Sequence, residues 1–128
     1  MNLSVYLVIG LGGAFGAVAR YAMSSWISQK FLYAFPWGTF AVNMLGCFII
    51  GIVYVLGVEN LILSSNTRLF LSVGFIGAFT TFSTFSLETL NIIKSGDVKT
   101  ALFNSIGSLV VGLLAVWLGM VLTKLIVK

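Results

Sequence analysis

The densest set of residues able to do chemistry lies in one run, Gly74-Phe75-Ile76-Gly77-Ala78-Phe79-Thr80-Thr81-Phe82-Ser83-Thr84-Phe85-Ser86. It places two glycines and five hydroxyl side chains inside an otherwise apolar stretch. Phe82 and Phe85 are three apart and share a helical face, with Ser86 beside them and Thr81 and Ser83 at the flanks. Aromatic ring edges are partly positive and hydroxyls are donors, so such a face can solvate a small anion without a formal cation. Backbone carbonyls exposed where a helix unwinds can instead hold a cation. The plainer alternative is that the phenylalanines fill core and the hydroxyls bond to backbone one turn earlier.

Other polar residues recur at helical spacing. Thr39 and Asn43 are four apart, as are Asn104 and Ser108, so each pair predicts one polar stripe turned toward a helix bundle. Arg20 is costly at membrane depth. It predicts a water-filled vestibule, a partner such as Glu88, or a side chain snorkelling to the interface.

Other chemistries lack their residues. With no histidine, and with Glu59, Glu88 and Asp97 as the acidic residues, the chain holds no Ser/His/Asp set, no zinc-protease motif and no embedded aspartate pair. It is not expected to be an enzyme. Cys47 is the single cysteine, so no internal disulfide forms, and it reads as a small buried residue. The net charge is +4, but the seven basic residues form no run, which argues against a nucleic-acid partner.

The elements that must position these groups follow from composition. The chain has 128 residues, 59% hydrophobic and 8% charged, with a mean hydropathy of +1.12. That balance predicts one domain, residues 1–128, immersed in a lipid bilayer. A spanning helix needs roughly 20 apolar residues, and four segments qualify: residues 3–28, 37–58, 69–93 and 100–123. The fold expected is all-α and polytopic, with the third helix broken at the polar run. Irregular backbone is tolerated at that depth only where protein covers it or water reaches it. Ala17-Val18-Ala19 resembles a signal-peptidase site, but no lysine or arginine precedes the apolar run, so the first segment is read as a retained helix.

Arg68, Lys124 and Lys128 fall on the side of the N-terminus, and Lys30, Lys94 and Lys99 on the other, with Arg20 leaning that way. This near balance gives little bias for one insertion direction. Dual topology follows as an expectation, and an antiparallel homodimer with its two-fold axis in the membrane plane is the natural closed assembly. Gly12, Gly13 and Gly16 with Ala17, Gly46 with Gly51, and Gly107, Gly112 and Gly119 offer small-residue surfaces for close helix contact. Taken pair by pair, packing inside one subunit is the simpler use of them.

The run Gly77-Ala78-Phe79-Thr80-Thr81-Phe82-Ser83-Thr84-Phe85-Ser86 with Glu88, the stretch Trp37-Gly38-Thr39 leading to Val42-Asn43 and Gly46-Cys47, and Gly12-Gly13 through Gly16 to Arg20 together resemble the Fluc (CrcB) fluoride channel family. The resemblance covers all four segments. It implies a dual-topology homodimer in the bacterial inner membrane, with two antiparallel pores that pass fluoride and exclude chloride. By position, Phe82 and Phe85 become pore phenylalanines and Asn43 the asparagine near them, with Thr39 on the same stripe. Ser83, Thr84, Ser105 and Ser108 become a polar track, and Arg20 and Glu88 vestibule residues. The carbonyls of Gly77 and Thr80 from both subunits would hold a structural Na+. The fourth segment departs from the pattern: Asn104 stands where some relatives carry an aromatic, and Gly112 where a hydroxyl can occur.

Two rival functions fit a small four-helix membrane protein. A multidrug-type proton antiporter needs a carboxylate in mid-membrane. Here Glu88 lies near one end of its helix and Arg20 occupies the first segment. A non-transporting assembly subunit would need only the glycine faces.

Overall fold

The computed structural model describes residues 2–32 and 34–128. Its described residues are helical and linking segments without strands. Helix α1 spans Leu3–Lys30, and α2 spans Trp37–Tyr54 and continues through a π turn, Val55–Glu59. The third crossing starts as α3, Ser65–Arg68, widens into π turns over Leu69–Ile76, and tightens again as α4, Gly77–Phe79. After an interruption it resumes as α5, Phe82–Lys94. Helix α6, Val98–Ile126, completes the chain's crossings. The four spans are longer than the apolar segments by a few residues at most ends, because a helix runs on into the polar interface before it stops.

Backbone meets backbone at glycines. A Cβ at Gly12 would collide with the Phe70 carbonyl oxygen, and one at Gly16 with the carbonyl of Phe75. These residues press α1 against the π-turn half of the third crossing. The same device seats α2 on α6. A Cβ at Gly51 would strike the Val116 carbonyl, and one at Gly119 the Phe48 carbonyl. These glycines therefore serve packing within one subunit. Gly10 and Gly107 face open space.

The ends are tied differently on the two sides. Lys124 Nζ meets Glu59 Oε2 at 2.9 Å, which joins the ends of α6 and α2. Arg68 Nη1 donates to the Gly57 carbonyl at 3.3 Å and so covers the C-terminal end of the second crossing, where a cation is favoured by the helix dipole. On the opposite side, Phe35 is buried between Trp37, with ring centroids 4.5 Å apart, and Phe103, at 5.6 Å. That aromatic cluster fastens the α1–α2 link to the start of α6. Asp97 caps α6 by accepting the Thr100 N–H at 3.1 Å.

Candidate functional site

The third crossing covers Ser65–Lys94, and its interruption falls near the middle, at Thr80 and Thr81. Thr80 has ψ 156° and Thr81 has φ −148°, ψ 117°, both extended. The sequence run from Gly77 to Ser86 predicts a broad break. The structure confines it to two β-branched residues and leaves Gly77 helical, at φ −59°, ψ −36°.

Two local devices hold the break open. Thr81 caps α5, its hydroxyl oxygen accepting the Thr84 N–H at 3.2 Å. Asn43 on α2 staples the same residue from across the bundle: its Oδ1 accepts the Thr81 N–H at 2.8 Å and its Nδ2 donates to the Thr81 carbonyl at 3.1 Å. In an unbroken helix that N–H would go to the Gly77 carbonyl. Diverted to Asn43, it leaves the carbonyl end of α4 without the next helical donor. Gly46 makes room for the turn, since a Cβ there would collide with the Thr80 methyl group.

The break therefore sets a carbonyl-rich helix end, which favours a cation, next to the N-terminus of α5, which favours an anion. Beside it lies a groove of about 710 Å³. Asn43, Thr80, Phe82, Phe85, Ser105 and Ser108 line its polar and aromatic part, and Met44, Cys47, Ile50 and Leu109 its apolar part. Gly77 also reaches it. The lining contains no charged residue. The Phe82 and Phe85 rings are tilted, with centroids 5.8 Å apart.

Other residues singled out in the sequence stand outside this groove. Ser83 and Thr84 are exposed and gather around the Thr81 hydroxyl, at 3.3 and 3.1 Å. Thr39 is buried and donates to Glu88 Oε1 at 2.8 Å, while Glu88 Oε2 is buried without a partner. Arg20 does not meet Glu88: among the described residues the ion pair found is Lys124–Glu59. The reason is placement, because α1 packs on the first half of the third crossing and Glu88 lies in the second. Both polar stripes do face the bundle, and each binds the third crossing. Thr39 and Asn43 hold it from α2. On α6, Asn104 Nδ2 donates to Thr89 Oγ1 at 2.9 Å and Ser108 donates to Asn104 Oδ1 at 3.3 Å. Thr89 carried no signal in sequence, since a threonine on an amphipathic helix is unremarkable until its partner is seen.

An all-helical membrane protein with four spans, one of them interrupted beside a neutral polar groove, is the class this fold and site define. Residues 7–120 match the family described as CrcB-like protein, Camphor Resistance (CrcB), and the chain belongs to that family. It is 48% identical over 122 residues to the fluoride-specific ion channel FluC of Acidobacterium capsulatum, covering 95% of this chain and 98% of that protein. It is 48% identical over 118 residues to that of Magnetococcus marinus, covering 92% and 96%. To that of Thermus thermophilus it is 45% identical over 119 residues, covering 93% of each.

Proposed function

We propose that this chain is a passive fluoride channel rather than an enzyme, working as an antiparallel dual-topology homodimer in a bacterial inner membrane. The observation that carries the reading is the groove at the mid-span break, polar and aromatic but free of charged lining residues. Fluoride is small and strongly hydrated. A path for it must replace water with several donors yet release the ion, so amide, hydroxyl and ring-edge groups suit conduction better than a buried lysine. Asn43 and Ser108 with the Phe82 and Phe85 edges supply such a set, and Ser105 lines the same wall. Ser83, Thr84 and Thr39 would extend it away from the groove, with Arg20 and Glu88 toward the mouths. Hydrogen fluoride enters cells as the neutral acid and ionises inside, so an anion-selective leak lowers cytoplasmic fluoride without energy input.

The dimer reading rests on the near-equal division of basic residues and on an incomplete wall. Phe82 is 80% exposed in the single chain, a large apolar side chain at a mid-membrane polar break, which a second copy would cover. The carbonyls of Gly77 and Thr80 are hard oxygen donors near the freed end of α4, and they fit a cation such as Na+. Bound there on the dimer axis, the ion would neutralise facing carbonyls and hold the two breaks together. Its expected signature is a sodium-dependent midpoint of dimer dissociation in detergent, with potassium a poorer substitute.

Function is tested with purified protein in liposomes, recording fluoride efflux while a potassium shunt dissipates the voltage. Fluoride leaves and chloride stays if the reading is right. No fluoride efflux, or chloride efflux at the same rate, rejects it.

A further inference from the structure

Of the five hydroxyls lining the groove, three have given their hydrogens to backbone, and that of Thr81 is spent within its own cap, on Thr84 Oγ1 at 3.1 Å. Ser72 donates to the Arg68 carbonyl at 2.6 Å, Thr80 to Ile76 at 3.0 Å and Ser105 to Ala101 at 2.9 Å. Each of these bonds runs to backbone one turn earlier, and each leaves only lone pairs for the groove, which repel an anion. Ser108 differs. Its hydroxyl reaches a side chain, Asn104 Oδ1, at 3.3 Å, the longest of these four bonds. That is beyond the usual range for an O–H···O bond, so this bond from hydroxyl to amide oxygen is weak and easily exchanged.

The direction of this bond is fixed from a distance. Thr89 gives its hydrogen to the Phe85 carbonyl at 2.7 Å, so its oxygen can only accept from Asn104. The Asn104 amide therefore turns its nitrogen to Thr89, at 2.9 Å, and its oxygen to Ser108. Asn104 is 1% exposed, which holds this orientation.

We infer that Asn104 is a positioning residue for conduction, an exchangeable acceptor that parks the Ser108 hydrogen until an anion in the groove takes it. The hydroxyl swings from amide to anion and back, and the cost stays low because one weak bond replaces another. Without the Asn104 amide oxygen, the remaining acceptor for Ser108 is the residue 104 backbone carbonyl one turn earlier. That is the mode in which Ser105 is held. Ser108 would then be locked like its neighbours. This rests on the fluoride-channel reading, and it assigns to Asn104 a role in donor supply.

The test is a double-mutant cycle in liposome fluoride flux, with dimer assembly followed by size-exclusion chromatography. Ser108→Ala and Asn104→Leu should each lower flux by about tenfold, the scale of one hydrogen bond lost to the passing ion. The double variant should be no slower than either single one, because both remove the same donor. A merely structural role for Asn104 would instead give effects that multiply, and that outcome overturns the proposal. Asn104→Ser keeps a hydroxyl acceptor; it should conduct faster than Asn104→Leu and remain sensitive to Ser108→Ala. Should Asn104→Leu fail to assemble, Asn104→Ser decides, and its insensitivity to Ser108→Ala overturns the role. Ser108→Ala conducting at the wild-type rate does so as well. Wild-type protein that passes no fluoride rejects the channel reading itself, a result distinct from either of these.

Discussion

At the scale of single residues, Asn43 has a double task. Its amide closes both backbone groups of Thr81 and still keeps a second N–H near the groove. Asn43→Leu would strand the Thr81 N–H and carbonyl together. Each stranded buried group costs about 1–3 kcal/mol, so the variant should unfold earlier in detergent, read as a lower denaturant midpoint, and lose fluoride flux as well. Phe82→Ile and Phe85→Ile separate the two effects. They keep apolar volume but remove the ring edge, and flux is expected to fall by at least about tenfold with the dimer intact. Retained flux in both would remove the phenylalanines from the path.

At the scale of elements, the two halves of the third crossing are held by different physics. The first half is pressed against α1 through Gly12 and Gly16. The second, α5, has no buried residue, and side-chain hydrogen bonds tie it to α2 and α6. Gly16→Ala should drive its methyl group into the Phe75 backbone and destabilise the protein by about 1–3 kcal/mol, as overpacking does; a thermal melt in detergent checks it. At the turn into α6, hydrogen bonds from Thr100, through side chain and backbone, hold the Asp97 carboxyl below the usual carboxylate range. A depressed folded value means that the stabilisation is present above the ordinary range and lost as pH falls through the folded one. Asp97→Ala should therefore melt below wild type at neutral pH, with the gap closing on acidification. A gap that is independent of pH would show that the cap works without its charge.

At the scale of the whole molecule, the balance of basic residues carries the topology proposal. Ser65→Lys with Asn66→Lys adds charge on the side of the N-terminus, at exposed positions, and Asn91→Lys with Ser95→Lys adds it on the other. Each pair expressed alone should insert one way and give little flux, while co-expression of the two should restore it. Flux from either pair alone would argue against an antiparallel assembly.

Four spans, their approximate limits and the polar interruption of the third were legible in the sequence because a bilayer admits few solutions. Apolar length must match its thickness, and backbone groups must be satisfied at depth. The run from Gly77 to Ser86 marked the interruption for the same reason, since hydroxyls in such number do not face lipid. Tertiary structure decided which residues share it. Asn43, Ser105 and Ser108 join Phe82 and Phe85 in one groove, whereas Ser83, Thr84 and Thr39 turn elsewhere and Arg20 stays apart from Glu88. Helical spacing gives the face of one helix but not the neighbour that it meets. Only the packing of α2 and α6 around the break showed that Asn43 bonds to the Thr81 backbone, and that Asn104 bridges Thr89 and Ser108.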